Sequence, residues 1–294
     1  MGVPKDGDNI FVCTKPLQIM ISMNLSRIYG PADLYIVDSF AQASMISQSP
    51  VLRSFFSEIR LYAKRTKAII AAAHELPNSI FIDSDVGLKT QLALIKARFY
   101  SPKSTICVYE EGIGTYRTDL IPSPIKQAIY TATGTARYFG GSIFTNKIFV
   151  YNTEKYHNNL PDLYHKAVQI TPSHRSFINE HREELIKVFG LGYQLPETPT
   201  HNRAYIYLTD WEISADTIFE FNGYENAFIK PHPHLSKNTI EEYKKISSSY
   251  WVPSVYPAEL IIPELTLKYH QVCVRHNNSS AMSYMGSLDN ILEI

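Results

Sequence analysis

Two short motifs hold the residues best suited to chemistry. Tyr109-Glu110-Glu111-Gly112 follows the apolar, strand-like run 104–108, and Lys230-Pro231-His232-Pro233-His234 follows a second such run, 225–229. A carboxylate at a strand end can take the proton of an attacking hydroxyl, and a modestly raised pKa suits it to that task. Glu110 and Glu111 are adjacent, so on an extended strand they point to opposite faces, and only one of them is expected to meet a ligand. The pattern leaves open which. Gly112 permits a tight turn and the close approach of a substrate. The plain alternative is two surface carboxylates, or a salt bridge.

In the second motif Pro231 and Pro233 stiffen the backbone on both sides of His232. A protonated His232 can donate to a phosphate oxygen as a leaving group departs, with Lys230 or His234 adding charge. The competing reading is a rigid turn with a solvent-facing histidine. A zinc site on His232 and His234 lacks a third ligand. A further segment, Asn277-Asn278-Ser279-Ser280-Ala281, follows the strand-like run 271–274. It reads as a helix start where hydroxyls and free N–H groups meet an anion, or simply cap the helix. Pro257-Ala258-Glu259 opens another helix, whose Glu259 can accept hydrogen bonds from ribose hydroxyls or merely favour the helix dipole. Together these residues point to group transfer from a phosphate-bearing donor. Asp83-Ser84-Asp85 looks like a divalent-cation loop. It lies in the half of the chain that lacks the His-Pro and Ser-Ser segments, and is expected to be a turn or the edge of an acceptor site.

Positioning these residues takes alternating buried strands and amphipathic helices. Strands are expected at 10–13, 33–37, 58–62, 79–82, 104–109 and 147–151, with helices at 17–29, 49–58, 67–74, 87–99, 122–138 and 173–188. The Pro-rich polar stretch 194–202 then marks a domain boundary, dividing the chain into 1–198 and 199–294. The pattern restarts with strands at 204–208, 227–230, near 251 and 271–274, and helices at 214–221, 236–247, 257–262 and 280–285. This alternation predicts α/β domains with parallel sheets. All the motifs fall after strands, where such sheets bind ligands.

Composition narrows the function. The 294 residues are 45% hydrophobic and 19% charged, so real cores are expected. Twenty-eight basic residues balance twenty-eight acidic ones, which argues against a nucleic-acid partner and makes any anion site local. Cys13, Cys107 and Cys273 lie in strand-like stretches, without metal-ligand spacing, and are expected to be buried thiols. No run reaches membrane-span length, and the polar start is unlike a signal peptide, so a cytoplasmic protein is expected. The basic run 60–67 is the segment on which a peripheral inner-membrane contact would rest.

These residues resemble the signatures of the bacterial sialyltransferases: an acidic-acidic-Gly motif at Glu110-Glu111-Gly112, His-Pro at His232-Pro233, and Ser/Thr-rich at Ser279-Ser280. The opening Phe11-Val12-Cys13-Thr14-Lys15-Pro16-Leu17-Gln18 is similar to the start of the branch that sialylates lipo-oligosaccharides and capsules. The resemblance covers nearly the whole chain. It implies a GT-B fold, two Rossmann-like domains facing a central cleft, with CMP-sialic acid held mostly by the second domain. It implies inverting, metal-independent transfer to a glycan hydroxyl, commonly a terminal galactose in an α2,3-linkage. No cofactor is implied. Glu111 matches the general base in preference to Glu110, although many members have Asp there. His232 matches the residue that serves the departing phosphate. Ser279 and Ser280 match phosphate contacts, Glu259 a ribose or cytidine contact, and Thr209 borders the same pocket, with Lys230, Pro233, His234 and Asn278 beside it. The alternatives are another nucleotide sugar such as CMP-Kdo or a nucleotide-hexose, α2,8-polysialylation, and a silent nucleotide- or glycan-binding protein. A homodimer is compatible with each.

Overall fold

Short runs of Ile, Val, Phe and Leu, bounded by chain breakers, make strands buried on both faces, the mark of a parallel sheet. The computed structural model, which describes residues 9–190, 193–196, 202–277, 279–285 and 289–294, contains two such sheets. Its contacts divide the chain into two compact units, Met1–Phe177 and Ile178–Ile294.

The first unit runs β1 (Asn9–Cys13), α1 (Pro16–Tyr29), β2 (Ala32–Val37), α2 (Ala43–Ser47), β3 (Ile59–Tyr62), α3 (Arg65–His74), β4 (Ser79–Ile82), α4 (Leu88–Tyr100), β5 (Thr105–Tyr109), α5 (Pro124–Ala132), β6 (Lys147–Val150), α6 (Thr153–Asn159) and β7 (Ala167–Gln169). Helix α7 (His174–Glu180) straddles the division. All pairings are parallel, in the order β3-β2-β1-β4-β5-β6-β7. The order therefore switches direction between β1 and β4, the place outside which ligands bind in open α/β sheets. Phe11 of β1 stacks on its cross-strand partner Phe81 of β4, ring centroids 4.4 Å apart. Pro16, whose fixed φ and missing N–H suit a first turn, starts α1. At its far end Tyr29 meets Phe149 edge-on at 5.2 Å, which ties α1 to the sheet.

The second unit runs α8 (Arg182–Phe189), β8 (Arg203–Leu208), α9 (Ala215–Phe221), β9 (Ala227–Lys230), α10 (Lys237–Lys244), β10 (Tyr250–Trp251), α11 (Ala258–Lys268), β11 (Gln271–His276), α12 (Ser280–Met285) and β12 (Ile291–Glu293). Its parallel sheet has the order β10-β9-β8-β11-β12, with the switch between β8 and β11. Phe221 and Ile218 of α9 pack with Ile229 and Tyr207 to form its core on one face.

Several elements differ from the sequence expectations. In place of a helix over 49–58 there is one 3-10 turn, Leu52–Ser54. The chain must already pair with β2 there: the Ser57 N–H donates to Ala32 O and Glu58 O accepts from the Leu34 N–H. The helix over 122–138 stops at Ala132, because Gly134 takes φ +62 and the Thr135 N–H returns to Tyr130 O at 2.8 Å. The helix over 173–188 is broken at His181 into α7 and α8. The helix over 257–262 continues through Pro263 to Lys268. The contact division also falls earlier than the Pro-rich stretch, residues 197–201 of which lie outside the described residues. Helix α8 packs on α11, where Arg182 faces Glu264 at 3.5 Å, and so belongs to the second unit. Cys13, Cys107 and Cys273 are free and buried. No helix among the described residues is long and apolar enough to cross a membrane.

Candidate functional site

The residues singled out above collect at strand ends, one cluster in each unit. In the first unit the cluster lies where β1, β4 and β5 end. Tyr109 anchors the end of β5: its ring is fully buried and its hydroxyl donates to Val12 O at 2.7 Å. The next two residues part company. Glu110 is buried, and its Oε2 accepts from the Tyr116 hydroxyl and from the Tyr151 N–H at 2.6 Å. Glu111 turns to the strand-end surface, where its carboxylate pairs with Lys15 Nζ, while its N–H donates to Thr115 Oγ1 at 2.8 Å. Two glycines make this possible. Gly112 takes φ +117, and a Cβ on Gly114 would stand 2.9 Å from Glu111 Oε2. Beside this pair, Asp83 accepts from Thr14 Oγ1 at 2.7 Å and faces Arg65 at 3.4 Å.

Asp85 is occupied differently. It is buried and accepts from the N–H groups of Gly140 and Ser142 and from Thr145 Oγ1, at 3.0, 2.9 and 2.8 Å. Burial raises its pKa against these stabilising bonds. The two carboxylates of the Asp-x-Asp loop thus serve separate partners, and Asp85 ties down the turn before β6. Among the described residues no three His, Cys, Asp or Glu side chains gather in a way that could hold a metal ion.

In the second unit the cluster lies where β9, β8 and β11 end side by side. Leu208 is in register with both Lys230 and His276, so the three strands end in one row. Thr209 follows β8, and its buried hydroxyl accepts from the His232 N–H at 2.9 Å. His232 Nδ1 in turn accepts from the His234 N–H at 3.3 Å. Trp211, largely exposed, stacks on His234 at 5.2 Å and lies 4.6 Å from the His232 ring. Across the switch point Asn277 Nδ2 donates to Asp210 Oδ2 at 3.1 Å. Ser279 caps α12, its Oγ accepting from the Ala281 N–H at 3.4 Å, and its own N–H donates to His276 Nδ1. Asn278 lies outside the described residues.

Lys230 and Glu259 stand behind this row, both buried. Lys230 Nζ donates to Ser254 O at 3.0 Å and to Pro231 O, which pins the turn that carries His232. Burial pulls its pKa down to about 7, against the opposing charge of Glu259. Burial likewise pushes Glu259 up, opposed by its own N–H at the start of α11 and by Lys230.

The structure therefore brings Thr209, His232, Pro233, His234 and Ser279 to one sheet edge, with Ser280 at the start of α12, and turns Lys230 inward to the loop's own carbonyls. It separates Glu110 from Glu111 by function: one holds structure, the other is presented. The sequence arguments passed over Trp211 and Asp210, and treated Lys15 only as part of a resembling segment. A tryptophan directly beyond a strand end was the available signal for Trp211.

No family model matches this chain, and no curated protein matches it. Among solved structures it is similar to S. aureus MnaA in complex with UDP, with a TM-score of 0.50 at 12% identity, covering 91% of this chain and 73% of that one. At that identity the likeness concerns the fold. The chain is an α/β protein of two Rossmann-like domains, of GT-B type.

Proposed function

We propose that this protein is a nucleotide-sugar-dependent glycosyltransferase, and specifically an inverting sialyltransferase that moves sialic acid from CMP-sialic acid to a glycan hydroxyl. The observation that carries the reading is the row of strand ends in the second unit, where Thr209, His232 and Ser279 come from three adjacent parallel strands. Such a row offers hydroxyls, an imidazole and a helix start to one phosphate. In the first unit Glu111 is the presented carboxylate at the end of β5.

The reaction assigns each a role. Glu111 takes the proton of the acceptor hydroxyl as its oxygen bonds to the anomeric carbon. The bond from that carbon to the phosphate oxygen breaks on the opposite side, and the electron pair leaves with CMP. His232, whose Nδ1 accepts from the His234 N–H, donates from Nε2 to the departing phosphate, with Ser279 and Ser280 as further donors and the buried Glu259 behind them. Glu110 supports Glu111 by fixing Tyr116 and the Tyr151 backbone. Lys15 holds the Glu111 carboxylate in place until an acceptor enters. A uridine-linked sugar is the second reading, favoured by the fold likeness to a structure that holds UDP.

The test is CMP release from CMP-sialic acid with and without lactose, in EDTA. Release stimulated by lactose, and lost in both Glu111→Ala and His232→Ala, supports the reading. Turnover of a UDP-sugar but not of CMP-sialic acid moves the donor to the second reading. Silence with every donor favours a binding protein.

A further inference from the structure

We propose that the outer face of α4, together with α5, is a docking surface for an anionic lipid bilayer. Helix α4 is apolar on two opposite sides. Thr90, Ala93, Leu94 and Ala97 are buried toward the sheet. Leu88, Leu92, Ile95 and Phe99 recur at steps of four, three and four, within about 60° of arc, and all are exposed, Phe99 at 82%. A helix whose second apolar stripe faces water is asking for a second apolar environment.

The stripe does not stand alone. Ile143 is 78% exposed, and its neighbours fasten to α4: Ser142 Oγ donates to Gln91 Oε1 at 3.0 Å, and Phe144 O accepts from Arg98 at 3.2 Å. Helix α5 has no buried residue, and it carries Ile125 and Ile129 exposed. Its Tyr130 hydroxyl would stand 3.7 Å from a Cβ on Gly87, the residue that opens α4. The apolar side chains thus form one neighbourhood within the first unit.

Charge selects the occupant. Residues 86–109 and 120–150 contain no Asp or Glu, although the chain as a whole has equal numbers of acidic and basic residues. Lys89 and Lys96 flank the stripe on one side of α4, and Lys103 just beyond its end and Lys126 of α5 are exposed as well. Apolar residues that can enter the acyl boundary, flanked by lysines that can reach lipid phosphates, match an anionic membrane surface. A second copy of the same face would set lysines against lysines. The basic run 60–67 is a poorer candidate, since Arg60 pairs with Glu58 and Glu75, each at 2.6 Å, and Arg65 faces Asp83.

The test is sedimentation of the intact chain with phosphatidylglycerol-containing vesicles and with pure phosphatidylcholine vesicles, in the absence of any sugar donor. Its outcome is therefore independent of the transfer reaction proposed above. The wild type is expected to partition onto the anionic vesicles and to be released by high salt. Leu92→Ser with Phe99→Ser is expected to weaken partitioning about a hundredfold, tenfold for each side chain withdrawn from the acyl boundary. Lys89→Glu with Lys96→Glu is expected to weaken it about tenfold or more. Both variants alter exposed positions, so an unchanged unfolding midpoint verifies the fold. Absence of partitioning, or equal partitioning by all three proteins, overturns the proposal. A dimer that dissociates in the Leu92→Ser, Phe99→Ser protein also overturns it, and assigns the face to a second copy.

Discussion

At the scale of single residues, the division of labour between Glu110 and Glu111 gives opposite expectations for neighbouring substitutions. Glu110→Ala leaves the Tyr116 hydroxyl and the Tyr151 N–H without their buried acceptor. It should lower stability by about 2–3 kcal/mol in urea denaturation. Glu111→Ala removes a partly exposed ion pair and should shift stability by under about 1 kcal/mol. Acceptor-stimulated transfer should nonetheless fall by about 10²–10⁴-fold. Equal destabilisation by both changes would contradict this assignment. His174 supplies a second residue-scale expectation. It is buried beside Tyr151, and burial drops its pKa from 6.5 to about 3. The folded protein therefore stays neutral there while the unfolded chain takes a proton below pH 6.5, so stability is lost as pH falls from 6.5 toward 3. Between pH 7 and 5 the loss from this group should be about 2 kcal/mol. His174→Gln should flatten that part of the pH profile, as read by urea midpoints.

At the scale of elements, the turn after β9 shows how a buried cation can shape a site without touching the substrate. Lys230 sits in β9 with its Nζ on Pro231 O and Ser254 O. Its pKa near 7 lies below the unfolded value of 10.5. Above pH 7 the unfolded chain holds a proton that the folded chain has released, so this group makes stability rise as pH goes from 7 toward 10. Lys230→Met should abolish that rise in thermal melts. It should also reduce kcat about tenfold or more, because the His232 turn is no longer pinned. The strands that carry Glu111 and His232 were legible from the sequence, since apolar runs bounded by Gly or Pro leave few alternatives. Three-residue β7 and β12 were not, because so short a strand shows no periodicity. Nor did local sequence distinguish Glu110 from Glu111. The choice depends on Tyr116 folding back from a 3-10 turn, on the Tyr151 amide beyond β6, and on Lys15, 96 residues away from Glu111. The ends of helices were legible only in part: a Gly-terminated stop at 134 requires knowing that Gly134 adopts φ +62.

At the scale of the whole molecule, the two compact units each repeat one scheme, a parallel sheet with its chemistry at the strand ends beside a switch point. The repetition does not make the ends equivalent. Those of the first unit carry paired charges, Lys15 with Glu111 and Arg65 with Asp83. Those of the second carry hydroxyls, imidazoles and an indole over a buried lysine. With equal numbers of acidic and basic residues overall, no global field steers an anion, and the local donors must decide where a nucleotide binds. CMP should therefore slow amide exchange at 209–211, 231–235 and 276–281, and leave 14–18 and 111–116 unchanged. At a hundredfold excess over Kd it should add about 2.7 kcal/mol to the stability of the protected segments. If UDP protects them and CMP does not, the donor carries uracil. If CMP protects the strand ends of the first unit instead, the roles given to Glu111 and His232 are exchanged between acceptor and donor, and the proposed mechanism fails while the fold stands.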